Sequence, residues 1–166
     1  MAIVHLVEGP VGAGKSTYAF ALSRQHTAPR FILDDWMARL FRPDRPETDL
    51  WPWYAERKAR CIDQIWEVAS DCLDLGQDVV LELGLVTRAA RAEFYARADT
   101  EDRTLRIHLL DVSRDVRRER VKQRNAEQGA TYAMHVDDEV FELASDLWEP
   151  PDDAEITDRA IEFPIT

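Results

Sequence analysis

"MAIVHLVEGPVGAGKSTYAFAL", residues 1–22, runs an apolar segment into a glycine cluster, then Lys-Ser-Thr, then a helical pattern. "AIVHLVE" is short, rich in β-branched residues and bounded by Gly9, so it reads as a buried strand. "KSTYAFALSRQ" reads as the helix that follows. Between them, "GPVGAGKS" fits G-x-x-x-x-G-K-[ST] through Gly9, Gly14, Lys15 and Ser16. A triphosphate concentrates negative charge, which is best met by converging backbone N–H groups at a helix N-terminus. Side chains would obstruct that approach, so glycines lead into the helix. Gly9, Pro10, Val11, Gly12, Ala13, Gly14, Lys15, Ser16 and Thr17 are therefore expected to wrap the phosphates of a nucleoside triphosphate. Lys15 can reach the β- and γ-phosphates as a mobile point charge, and the Ser16 hydroxyl can coordinate Mg²⁺.

Working outward, strand and helix alternate. "RFILDD" reads as a second strand ending at Asp34 and Asp35, and "DWMARLF" as a short helix stopped by Pro43. "RPDRPETDLWP" holds Pro43, Pro46 and Pro52 and reads as a loop. From Trp53 to Leu75, Ala55, Ala59, Ile62, Trp66, Ala69 and Leu73 form a helical stripe, with Gly76 as its C-cap. "DVVLELG" is a third strand, Thr87 can cap a helix over "RAARAEFYARA", and "TLRIHLLDV" is a fourth strand. Ser113 can cap an Arg-rich helix to about Asn125. Gly129 opens a loop, "DDEVFELASDLW" is a last helix, and the tail "AEITDRAIEF" is expected to add a fifth strand. Such a series implies a three-layer α/β fold with a mostly parallel sheet of about five strands. Ligands of such folds bind beyond the carboxyl ends of the strands. Those ends carry the glycine loop, Asp34–Asp35, Glu82–Gly84 and Asp111.

At 166 residues the chain suits one domain, and no apolar run approaches the ~20 residues that span a bilayer. The start lacks a basic leader, so a cytoplasmic location is expected. The formal net charge of -11 argues against a broad grip on nucleic-acid backbones, though not against a local basic pocket. Cys61 and Cys72 lie eleven positions apart on one helix, about 16 Å along its axis, too far for a disulfide. Both read as small apolar residues.

"GPVGAGKSTYA" followed by "FILDDWMARLF" resembles the P-loop kinases that include polynucleotide 5′-kinase, chloramphenicol phosphotransferase and zeta toxins. It is most similar to kinases described as AAA-type ATP-binding proteins, and the likeness runs through "DVSRDVRRERVKQRNAEQG". The resemblance implies Mg-ATP as phosphoryl donor and a hydroxyl acceptor. It maps the acid that takes the acceptor's proton onto Asp34, with Asp35 read as a helix cap. By the same analogy Glu82 holds Mg²⁺ through water or contacts the acceptor, and Thr87 and Arg88 sit where related kinases meet substrate. Family lids carry arginines over the nucleotide, placing the lid at about 114–136. Arg114, Arg117, Arg118, Arg120 and Arg124 fall there. Arg forks suit the oxygens of a transferring phosphoryl group. Arg120 and Arg124, at i and i+4, are the leading pair for nucleotide and catalysis, with Arg117 third. Gln128 stands where polynucleotide kinase has a further lid arginine, a departure from that lid.

Trp36, Trp51 and Trp53 flank the Pro-rich loop and offer either an aromatic floor for substrate or ordinary packing. His5 and His108 sit in strands as expected neighbours across the sheet; with no third ligand apparent, no metal is assigned to them. His26 and His135 carry no signal. A competing reading is a nucleotide-dependent ATPase or switch without an acceptor. No NKxD guanine-reading motif is present, and the chain is short for a full AAA module with its helical lid domain. The leading expectation is a kinase acting on a small hydroxylated molecule, with Lys15, Asp34, Arg120 and Arg124 as its catalytic set.

Overall fold

The computed structural model describes residues 2–129, 132 and 135–164. Four strands, β1 (Ile3–Glu8), β2 (Arg30–Ile32), β3 (Val79–Glu82) and β4 (Thr104–Leu109), form one parallel sheet in the order β2-β3-β1-β4. The helices are α1 (Lys15–His26), α2 (Leu33–Leu40), α3 (Leu50–Asp74), α4 (Arg88–Thr100), α5 (Arg114–Glu127), α6 (Asp138–Asp146) and α7 (Asp153–Asp158).

Side chains alternate across a strand, so each strand feeds two cores. Val4 and Leu6 of β1, Leu81 of β3 and Ile107 of β4 join Met37 of α2, Ile65 and Trp66 of α3, and Phe94 of α4 on one face. Val7 and Val80 meet Ala19 and Leu22 of α1 on the other. Both faces are covered, which is why β1 and β3 read as continuous apolar runs. Trp66 stands edge-on to Phe94 at 5.1 Å between ring centroids and donates its indole N–H to Glu101 at 2.9 Å.

Several boundaries differ from the sequence expectation. β2 ends at Ile32, so Asp34 and Asp35 lie in the first turn of α2 rather than at a strand end. No side chain caps that helix, so Asp35 is not the expected cap. α3 begins at Leu50, with Pro52 in its first turn, where a missing N–H costs nothing. Gly76, at φ +80°, closes α3: its N–H bonds Leu73 O, and Gln77 N–H bonds Cys72 O at 3.0 Å. Thr87 caps α4 by accepting from Ala90 N at 3.2 Å, whereas Ser113 precedes α5 without a side-chain cap bond. Cys61 and Cys72 are free thiols.

The tail corrects the fifth strand. Asp152 accepts from Glu155 N and starts α7 where a strand was expected. Among the described residues of the tail, only Glu162 reaches the sheet, as a single parallel bridge to His108. Its N–H bonds Ile107 O at 2.9 Å and its carbonyl accepts from Leu109 N at 2.8 Å. Pro164 follows with no N–H to extend a ladder.

A buried polar network holds α7 in place. Arg91 of α4 is fully buried and pairs with Glu155 at 2.5 Å, while its Nη1 donates to Glu149 O at 2.8 Å. Tyr95 donates its hydroxyl to Glu8, the last residue of β1, at 2.9 Å. Burial pushes the Glu8 carboxyl up to about 8, against the pull of Tyr95 and Arg91. Removing the guanidinium would strand Glu155 and the Glu149 carbonyl. Arg91→Met is expected to lower the unfolding free energy by about 3 kcal/mol or more, measured by urea denaturation. Glu8 binds its proton more tightly folded than unfolded, so its contribution is present at low pH and lost as pH rises from about 4.5 to about 8. Glu8→Gln should therefore flatten the fall in thermal midpoint across that window.

Candidate active site

The loop between β1 and α1 owes its course to three glycines at φ +142° (Gly9), +77° (Gly12) and +96° (Gly14). Gly9 is also forced by contact: a Cβ there would sit 2.5 Å from Leu110 O, across from β4. At Gly12 a Cβ would lie 2.7 Å from Arg117 O and 2.9 Å from Val121 Cγ2. The loop thus presses against α5 as well as opening α1. Ala13 N–H turns back on Pro10 O at 3.3 Å.

Lys15 Nζ donates to Pro10 O at 3.0 Å and stands 3.8 Å from Glu82 Oε1. Ser16 Oγ donates to Glu82 Oε2 at 2.8 Å. Glu82 ends β3, the strand paired directly with β1, so sheet order alone brings this acid to the loop. It is 6% exposed. Burial pushes its carboxyl up, and the Lys15 ammonium and Ser16 hydroxyl pull it back down. Asp34 and Asp35 add to the upward push, and both follow closely on Ile32, the β2 residue paired with Glu82. Asp34 is exposed in the first turn of α2. Asp35 is pushed up by desolvation first and by Asp34 second. Oxygen donors from Ser16 and Glu82, with a buried carboxylate wanting countercharge, fit the hard-cation chemistry of Mg²⁺.

Two residues of α3 join this end of the sheet that the sequence did not single out. Lys58 Nζ donates to Gly84 O at 2.7 Å, just past β3. Burial lowers its pKa while the Asp34 charge raises it. The Tyr54 phenol is pushed up to about 12, by burial first and by Asp34 second. The helical stripe drawn on α3 followed apolar residues alone; Lys58 lies three positions before Cys61 and seven before Ile65, on the face that is buried.

The arginine set divides. Arg120 Nη1 donates to Ala13 O at 3.1 Å, so it lies on the phosphate loop itself. Arg124 sits one turn on, its Nε buried with no hydrogen-bond partner among the described residues. Arg117 is 6% exposed and donates to Val112 O at 3.0 Å, Val11 O at 2.9 Å and Ser145 Oγ at 3.1 Å. Those contacts pin α5 to the loop and leave that guanidinium committed. Arg114 and Arg118 clasp Glu142 of α6, and Arg114 also holds Asp146 at 2.8 Å. Of the segment read as a lid, 114–136, residues 130, 131, 133 and 134 lie outside those described. Thr17 is exposed in the first turn of α1. Arg88 pairs with Asp152 at 3.1 Å at the surface, away from the loop. Trp36 stands edge-on to Phe31, Trp53 lies under Arg57 at 4.6 Å, and Trp51 is 62% exposed.

A glycine loop between a central parallel strand and its helix, with a buried acid on the adjoining strand, defines a P-loop nucleotide-binding fold. A family model described as "AAA domain" matches residues 4–151, and the chain belongs to that family. No curated protein sequence matches the chain. Among solved structures it is similar to a gluconokinase from Sinorhizobium meliloti 1021, at 21% identity and TM-score 0.54, over 90% of this chain and 75% of that one. A sugar kinase from Janibacter sp. HTCC2649 is 15% identical at TM-score 0.58, over 99% and 84%. A chain of the Pnkp1/Rnl/Hen1 RNA repair complex is 18% identical at TM-score 0.62, over 88% of this chain and 43% of that one. At these identities the likeness is one of fold. Among the described residues no helix is long and apolar enough to cross a membrane.

Gly12→Ala is expected to lower the thermal midpoint clearly, since both the positive φ and the contact with α5 oppose a methyl group. Gly129→Ala, whose Cβ meets nothing within 4 Å, should not.

Proposed function

We propose that the protein is a phosphotransferase that moves the γ-phosphate of Mg-ATP to a hydroxyl of a small molecule. The observation that carries this reading is the meeting of Lys15, Ser16, Glu82 and Arg120 at one glycine loop, with Asp34 two residues after Ile32, the β2 residue paired with Glu82. The backbone N–H groups of the loop and the α1 N-terminus bind the phosphates, and Lys15 leaves Pro10 O to meet the β- and γ-oxygens. Ser16 and Glu82 hold the magnesium ion, which when bound neutralises charge on the β- and γ-phosphates.

Asp34 orients the acceptor hydroxyl and takes its proton as the phosphorus–oxygen bond forms. Phosphoryl transfer has little other covalent chemistry, so positioning is most of the catalysis. Arg120 and Arg124 bring guanidinium groups to the transferring oxygens, in the segment 114–136 that acts as the lid. Lys58, held between Gly84 O and the Asp34 charge, faces the same space and supplies a cation on the acceptor side. Residues 42–54 border that side and shape acceptor choice. A net charge of -11 favours a small acceptor over a nucleic-acid strand.

The test is coupled ADP release against pooled hydroxylated metabolites, nucleosides and 5′-hydroxyl oligonucleotides. Stimulation by a metabolite or nucleoside pool is expected. With the acceptor found, Asp34→Asn should lower kcat by about 10²–10⁴-fold, with KM for ATP little moved. Asp35→Asn should stay near wild type. Full-rate transfer by Asp34→Asn removes the base assignment. ADP release indifferent to every acceptor makes the protein an ATPase or switch instead.

A further inference from the structure

On the α1 face of the sheet, toward the amino end of β3, lies a set of side chains that phosphoryl transfer does not use. His5 stands mid-β1 and is fully buried. His26 is the last residue of α1, and Asp78 immediately precedes β3. His5 Nε2 lies 3.7 Å from Asp78 Oδ2, and His26 Nδ1 lies 3.9 Å from the same oxygen. The three donor atoms are all within 4.8 Å of one another.

The surrounding bonds fix what His5 presents. Its Nδ1 is 3.2 Å from His108 Nε2, and His108 Nδ1 is 3.2 Å from the Tyr18 hydroxyl and 3.6 Å from Glu162 Oε2. If His5 Nδ1–H donates to His108 Nε2, then His108 Nδ1–H donates onward to Tyr18 or Glu162. His5 Nε2 is then a bare lone pair aimed at Asp78, buried and with no hydrogen-bond partner. The opposite tautomer aims an N–H at Asp78 across 3.7 Å, too far for a hydrogen bond. A buried lone pair facing a half-buried carboxylate leaves a place for a cation between them.

We propose that His5 Nε2, His26 Nδ1 and Asp78 Oδ2 bind one divalent transition ion of the zinc class. Two imidazoles and one carboxylate are the donor set such ions take, in place of the all-oxygen set of Mg²⁺. Bonds of about 2.0–2.2 Å put tetrahedral donors about 3.3 Å apart, so the site closes by a modest contraction. His26 and Asp78 can give it, since their side chains are 25% and 27% exposed. That exposure also admits water as a fourth ligand. The outer shell is in place: Asp78 Oδ1 accepts from Ile3 N at 2.8 Å, and His108 holds the far nitrogen of His5. The ion ties the end of α1 to β1 and β3, a structural rather than catalytic role. Ligands from positions 5, 26 and 78 have no sequence spacing that would announce them.

The test is zinc titration of the chelator-treated full chain by calorimetry, with excess Mg²⁺, alongside Co²⁺ visible absorption. One ion per chain and a raised thermal midpoint are expected. His26→Gln and Asp78→Asn should each weaken zinc at least about tenfold, while Glu82→Gln retains it. Shifts of the His5 and His26 ring ¹⁵N signals on adding zinc to the wild-type chain read the same site without any variant. No saturable uptake, uptake unchanged in both ligand variants, or uptake lost only in Glu82→Gln overturns the proposal.

Discussion

A carboxylate taken out of water at the carboxyl end of an interior strand organises the rest of this molecule. Glu82 is buried because β3 lies between β1 and β2, with helices on both faces. An uncompensated charge there would be costly, and the Lys15 ammonium and Ser16 hydroxyl meet it from the first turn of α1. The same two side chains are those that the proposed function assigns to a triphosphate and its cation. Burial of one acid therefore preorganises the loop, at a cost the parallel core can bear.

Around that centre, guanidinium groups reaching main-chain oxygens add to the apolar packing of the helices. Arg117 binds Val11 O and Val112 O; Arg120 binds Ala13 O; Arg91 binds Glu149 O. Exposed ion pairs such as Arg88 with Asp152 contribute little. The buried Arg91 and Arg117 differ, because each donates to main-chain carbonyls within the fold. This explains how a chain with three core clusters, one of them only Val121, Val136 and Phe141, keeps α5 and α6 in place.

The fold was legible where periodicity and punctuation agree. The strand before the glycine loop, the Gly76 stop and the Thr87 cap all follow from local chemistry; of the α3 stripe, Trp66, Ala69 and Leu73 are buried, whereas Ala55 and Ala59 are exposed and Cys61 and Ile65 are buried in their place. Failures came where tertiary contact overrode local preference. The tail carries β-branched residues yet forms α7, because Arg91 captures Glu155 and Asp152 caps the turn. Asp34–Asp35 looked like a strand end, but the helix starts one residue earlier. At the site, Ser16 and Glu82 were readable from the motif and the strand. Lys58 and Tyr54 were not, because the stripe was drawn through Ala55 and Ala59, whereas the buried face runs through Cys61 and Ile65, in line with Tyr54 and Lys58. The arginine cluster gave its chemistry but not its division of labour, which depends on α6 supplying Glu142 and Asp146.

Gly12 and Arg117 meet with no room between them: the glycine's α-carbon abuts the helix backbone, and the arginine's fork grips Val11 on the other side. Loop and helix are geared together at that point. Any rearrangement of the loop around an anion must turn the base of α5 with it. The swing then grows along the helix axis toward Arg124, one turn beyond Arg120. On the function proposed above, the contact would serve as a fulcrum between the loop and the far end of α5.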